Sequence, residues 1–300
     1  MHAVVLVSGG AAVTPFTTPG AAASTGLAAG NTMTAIREHL LSAGRTVYTP
    51  PARIGVGEVT EDTGWQGFEG VPEVLPAAVT INSVGRIDAA GASLAAFLRL
   101  LADREGLESI DLVGHSMGGL FSRSAIRQLR EGRGPAVRRL VTLGTPWTGA
   151  LLGDIVAGAL SPDDAGGDAG TRSILEQSVE YARANSQGAA EEVSEAYLNG
   201  DNGWNAAQRG VLDAIPVTLI AGRHFASESS PELLWPHDGL VSTRSSRADL
   251  VAPDVLLNRT VHEVADVHSI FFADAFGLDW SRALTWDPEV LGIIDSALSG

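Results

Sequence analysis

The segment Gly114-His115-Ser116-Met117-Gly118 follows the apolar run Ile110-Asp111-Leu112-Val113 and precedes Leu120-Phe121-Ser122-Arg123-Ser124-Ala125-Ile126. A G-x-S-x-G pentapeptide between a strand pattern and a helix pattern is a sharp turn with the serine at its apex. Such a turn pushes its apical residue into a backbone region that L-residues avoid, and it crowds the flanking residues against strand and helix. Glycines at 114 and 118 answer that crowding because they carry no Cβ. The turn therefore sets the fold: the Ser116 hydroxyl has to stand at the carboxyl edge of a sheet. The pentapeptide by itself is a weak signal, and its flanking pattern gives it weight. The plainer alternative is a tight turn with an incidental serine.

The rest of the chain alternates strand and helix patterns. Residues 4–7 read as a short buried strand that ends at Ser8-Gly9-Gly10, and a Gly/Ala/Thr-rich loop spans residues 9–30. A helix is expected over 32–43, where Met33, Ile36, Leu40 and Leu41 recur at helical spacing. A strand over 45–49, closed by Pro50-Pro51, leads into a loop over 52–80, and residues 87–101 form an amphipathic helix. Further strands are expected at 110–113, 140–143, 217–221 and 255–264, with a last helix at 288–298. Strands separated by helices give the α/β class, a mainly parallel sheet covered on both faces. Residues 150–214 contain no strand pattern. They read as a helical cap or lid inserted between a first core part, 1–149, and a second, 215–300, over the edge where active sites lie. The alternative is an ordinary surface excursion.

Composition narrows the function classes. The length, 300 residues, suits one large domain or one domain with an insertion. A formal charge of −15 argues against a nucleic-acid partner. All 20 basic residues are arginine. With no cysteine, neither a disulfide framework nor a thiolate metal site can form. No apolar run is long enough for a transmembrane segment. The apolar start lacks a preceding basic segment and reads as a strand, not a signal peptide. The expected location is cytoplasmic, with secretion after loss of a signal as the alternative. The loop after Val7 lacks both G-x-G-x-x-G and G-K-[ST] spacing, so dinucleotide and P-loop readings are set aside. No cofactor and no metal are expected.

A serine hydroxyl needs a base within hydrogen-bond reach, and the base needs an orienting acid. Behind an elbow of this kind the chain order is serine, acid, histidine. The candidate acid is Asp238, in His237-Asp238-Gly239-Leu240-Val241-Ser242 after a late strand. Glu228 and Glu232 are alternatives, and an Asp-Gly surface turn is the plainer reading. The candidate base is His268, beyond the last strand. His262 falls within that strand's apolar run and is second choice. Of the other histidines, His115 is inside the elbow, His39 is on a helix face, and His224 and His237 are either pocket or structural residues. The oxyanion donors are expected to be the amides of Met117 and of Gly10, with Ala11 next. Candidate pocket residues are Phe16, His115, Trp147, Leu151, Leu152, Phe225 and Trp235.

These pieces resemble a known superfamily. Val113-Gly114-His115-Ser116-Met117-Gly118-Gly119, Leu143-Gly144-Thr145-Pro146 and Asp238-Gly239-Leu240-Val241 are similar to the α/β-hydrolases, in particular the bacterial triacylglycerol lipases and the GPI inositol-deacylase-like group. The resemblance implies that Ser116 is the nucleophile, Asp238 the acid and His268 the base of a carboxylic-ester hydrolase working through an acyl-enzyme. Its partner would be a small-molecule or lipid-like ester with a hydrophobic acyl or alcohol group. Small or medium esters are favoured over an interfacial lipid substrate. One departure stands out: Ser8-Gly9 replaces the usual His-Gly after the first strand. The ligands of the calcium ion that some of these lipases bind find no match here. Competing readings are an acyltransferase or thioesterase with the same triad, a cofactor-free lyase or peroxidase, and a non-catalytic binding protein.

Overall fold

The computed structural model describes residues 1–20, 32–60, 73–130, 132–184, 188–227 and 231–300. In chain order its strands are β1 (His2–Val7), β2 (Val47–Tyr48), β3 (Ala52–Arg53), β4 (Ile81–Asn82), β5 (Ser109–His115), β6 (Ala136–Leu143), β7 (Val217–Gly222) and β8 (Arg259–Val264). The helices are α1 (Thr34–Ser42), α2 (Ile87–Glu105), α3 (Met117–Arg130), α4 (Leu151–Val156), α5 (Ala169–Ala184), α6 (Ala189–Glu192), α7 (Glu195–Asn199), α8 (Thr243–Ser246), α9 (Ile270–Ala275) and α10 (Pro288–Ser299). Six strands form one sheet in the order β2-β1-β5-β6-β7-β8, and every neighbouring pair is parallel.

The continuous apolar runs are explained by burial on both faces. In β1, Ala3, Val5 and Val7 join the core beneath α2 and α3, while Val4 and Leu6 join the opposite core with α1 and α10. A strand alternates its side chains, so only a sheet covered on both sides needs every position apolar. Helix α2 turns Ile87, Ala90, Leu94, Phe97, Leu98 and Leu101 inward, the stripe expected at helical period. Helix α10 starts at Pro288, with Asp287 Oδ1 accepting the Glu289 N–H at 2.8 Å, a side-chain cap that satisfies an end donor.

Two expectations differ from the fold. The loop expected over 52–80 contains β3, its partner β4 lies just past the end of that loop, and the two form a separate parallel pair with Ala52 opposite Ile81. Strands of two residues carry no periodicity to read. The strand expected over 255–264 begins only at Arg259. Val255 and Leu256 instead turn back on Ala252 O and are apolar because they fill the core.

Between β6 and β7 the described chain holds α4–α7 and no strand. The exit of this insertion is fixed to α3. The wholly buried Arg123 guanidinium lies 4.1 Å from the ring centre of Trp147 and 4.8 Å from that of Trp204, and donates to Asn205 Oδ1 at 2.8 Å. Burial lowers its pKa to about 9. Two indole faces compensate the lost hydration through cation–π attraction.

The elbow helix meets β1 with no space to spare: a Cβ at Gly118 would stand 2.1 Å from Val7 O. Gly118→Ala is therefore expected to lower stability by about 1–3 kcal/mol, the usual cost of overpacking. Urea unfolding of the variant beside the parent measures it.

Candidate active site

The sheet order determines where a site can form. From β1 the chain steps outward to β2, then returns to place β5 on the other side of β1. A parallel sheet opens a crevice at the carboxyl ends where the winding direction switches. Here that crevice lies between the loop after β1, with Gly10, and the turn after β5, with Ser116.

Ser116 sits at the turn with φ of 55°. A non-glycine residue there costs of order 1–3 kcal/mol and needs surroundings that hold it. Its N–H donates to Leu143 O at 2.8 Å, and its carbonyl accepts the Thr145 hydroxyl at 2.8 Å. The elbow is thus fastened to the end of β6. Thr145 carries a role that the sequence reading did not assign, although Leu-Gly-Thr-Pro stood out as a motif.

Asp238 and His268 come from the loops after β7 and β8 and meet. Asp238 Oδ1 accepts the N–H groups of Leu240 at 2.9 Å and Val241 at 2.8 Å. Oδ2 lies 2.7 Å from His268 Nδ1, and the His268 N–H donates to Asp238 O at 2.7 Å. With Nδ1–H directed at the carboxylate, Nε2 holds the lone pair. That Nε2 is buried and has no hydrogen-bond partner among the described residues. Gly144, at φ of 54°, passes under the pair: a Cβ there would lie 2.9 Å from both Asp238 Oδ2 and His268 Nδ1. His262 lies instead on β8, opposite Ile220. Glu232 is exposed, and Glu228 lies outside the described residues.

A cavity of about 340 Å³ opens onto Ser116. Gly10, Ala11 and Met117 line one side, where the expected oxyanion amides belong. Helix α5 lines the other with Ile174, Gln177, Ser178 and Tyr181, a spacing that defines one helix face. Leu152, Val193, Leu240 and Phe272 make much of the remaining wall apolar.

Most of the large side chains expected in the pocket lie behind it. Phe16 is in the main core, 5.7 Å from the Phe97 ring and 6.5 Å from Tyr48. Trp147 is fully buried against Arg123, with its Nε1–H on Thr142 Oγ1 at 3.2 Å. Leu151 and Trp235 pack with Leu160, Leu175 and Leu234 in a satellite core. Leu152, one residue on, lines the cavity, since one step rotates a helical side chain by about 100°. Phe225 stacks on His237, ring centres 4.9 Å apart. His115 lies behind His268, ring centres 4.7 Å apart, and does not line the cavity. His237 spends both ring nitrogens internally: Nδ1 accepts the Gly239 N–H and Nε2 donates to Thr171 Oγ1, each at 3.1 Å.

Burial perturbs several groups around this framework. It holds His115 and His237 neutral, with values lowered to about 3 and about 4. It raises Asp154, whose Oδ1 accepts the Glu195 N–H at 2.7 Å, to about 7. Asp266, two residues before His268, rises to about 8, first through burial and then through the neighbouring Asp287 carboxyl. Among the described residues no group of three or more His, Asp or Glu side chains could hold a metal ion, and no helix is long and apolar enough to cross a membrane.

Comparison with known proteins agrees with this architecture. A family model described as the PGAP1-like alpha/beta domain matches residues 92–156. None of the curated proteins matches the sequence. The mature lipase BlEst2 of Bacillus licheniformis is similar in structure, with a TM-score of 0.53 at 15% identity over 98% of this chain and 91% of that one. A gene product of Listeria innocua gives a TM-score of 0.51 at 18% identity over 99% and 94% of the two chains. Lipase 1 of Pelosinus fermentans gives 0.50 at 14% identity over 98% of each. The chain has the α/β-hydrolase fold.

The Asp266 shift has a definite sign. Its folded value, about 8, lies above the ordinary 3.8, so its protonated form contributes stability in acid. That contribution declines as pH rises from about 4 and is gone above about 8. Asp266→Asn should therefore gain melting temperature over the parent progressively between pH 4 and pH 8, then level off. Thermal melts across that range test it.

Proposed function

We propose that this α/β-hydrolase-fold chain is a serine hydrolase of carboxylic esters. The observation that carries the reading is the buried Asp238–His268 pair, 2.7 Å apart, whose remaining ring nitrogen is free beside the serine elbow. The fold shared with solved lipases is consistent with it.

In this reading His268 Nε2 takes the proton from Ser116 Oγ as that oxygen attacks the ester carbonyl carbon. The carbonyl electron pair moves onto oxygen, where the Gly10 and Met117 amides receive it. Asp238 holds the imidazole and stabilises its cationic form. Collapse breaks the ester C–O bond, and the departing alcohol takes the proton from His268. Water, activated by the same nitrogen, then attacks the acyl-enzyme, and the acid leaves with Ser116 regenerated. Residues 150–214 act as a cap over the core formed by 1–149 and 215–300, with the α5 face covering the substrate. The largely apolar wall favours a hydrophobic acyl or alcohol group. At about 340 Å³ the cavity lies near the small end of the range for ligand pockets, about 300–1,000 Å³, which favours short and medium chains.

Turnover of a p-nitrophenyl ester series from acetyl to palmitoyl tests the reading. Ser116→Ala and His268→Ala should each lose about a thousandfold or more in kcat. Activity that survives Ser116→Ala would exclude the serine mechanism. Leu152→Trp, which narrows the cavity, should shift the optimum towards acetyl esters, read as a fall in the octanoyl-to-acetyl ratio of kcat/KM.

A further inference from the structure

His115 is buried, neutral and absent from the cavity wall, yet it is the residue immediately before the elbow serine. Its Nε2 lies 2.9 Å from the backbone carbonyl oxygen of His268. A carbonyl can only accept, so Nε2 carries the proton and the tautomer is fixed. The bond joins residues 153 positions apart in sequence. It ties the end of β5 to the loop after β8, across the intervening strands β6 and β7.

We infer that His115 is a positioning residue for His268, acting through the main chain and not through substrate; as a role in catalysis this rests on the ester-hydrolase reading. The peptide groups on either side of the His268 Cα are both held. Its N–H is bound to Asp238 O at 2.7 Å, and its carbonyl to His115. The side chain adds the third attachment, Nδ1–H to Asp238 Oδ2. Two of these three bonds anchor the base to its acid. The bond from His115 alone ties the base to the strand that delivers the nucleophile, so it sets the distance between His268 Nε2 and the elbow. The rings lie 4.7 Å apart at 41°, and the neutral His115 ring supports the His268 side without placing a second cation beside it. The charged or titratable side chains in this packing are Asp238 and His268 themselves. A displacement of about 1 Å between reacting groups costs as much as a hundredfold, so one hydrogen bond at this place has leverage on kcat.

The geometry specifies which substitutions can replace it. A glutamine amide nitrogen falls near the position of an imidazole Nε2, whereas the asparagine amide nitrogen falls near Nδ1 and stops short of the carbonyl. His115→Gln should keep kcat within about threefold of the parent. His115→Asn and His115→Phe should lower kcat by about 10–100-fold with KM nearly unchanged. A second readout does not require turnover: the downfield proton NMR signal of His268 Nδ1–H, assigned by its loss in His268→Ala. It should persist in the glutamine variant and shift or broaden in the asparagine and phenylalanine variants, all with parent-like circular dichroism. Equal kcat and an equal signal in the folded glutamine and asparagine variants would overturn the proposal. A signal that depends on His115 in a parent inactive on every ester would support the positioning while removing the ester-hydrolase reading.

Discussion

The tight junction of three backbones at the elbow underlies the rest of the structure. Ser116 occupies a left-handed conformation, its amide and carbonyl are tied to the end of β6, and Gly118 lies flush against Val7 of β1. None of these contacts is apolar, so their strength lies in direction and not in area. They require β1, β5 and β6 to be neighbours and parallel, and that requirement fixes the switch in winding from which the crevice opens. The cavity, the amides beside it and the loops that converge on it are consequences of one turn being held in a costly shape.

Around that turn three buried imidazoles perform different work. His115 and His237 are kept neutral by burial, and each uses its ring to brace a loop. His268 alone commits one nitrogen to a carboxylate and leaves the other unpartnered among the described residues. The Asp238 carboxylate, itself satisfied by two backbone amides, gives that ring a different character.

The sequence was most informative where one physical demand acts on several consecutive residues. Strands buried on both faces leave unbroken apolar runs, and the elbow needs small residues at fixed offsets, so the sheet and the position of Ser116 could be read directly. Chain order then pointed to the loops that carry Asp238 and His268. The pocket wall was far less legible. Size and hydrophobicity do not tell a core side chain from a lining one: Phe16, Trp147 and Trp235 were taken by cores, while the modest Leu152 and Val193 face the cavity. Leu151 and Leu152 differ only in helical phase. The β3–β4 pair was invisible because two residues define no period. The hydrogen bonds from Thr145 and His115 join segments far apart in sequence and left no local signal.

The sandwich of Arg123 between Trp147 and Trp204 also bears on how a substrate arrives. The insertion is attached at its start by the Leu151 N–H on Leu240 O, at Thr171 through His237, at Glu192 by its carboxylate accepting the Ile87 N–H, and at its exit by the buried guanidinium. Swinging it away as a body would strip the cation of the Trp204 face and of its bond to Asn205, and break bonds at three other points together. A door with four bolts does not open on a hinge. Under the proposed ester-hydrolase reading, access to Ser116 is then a matter of local yielding along the α5 face, and selectivity at the portal falls to the side chains on that face instead of to the motion of a whole domain.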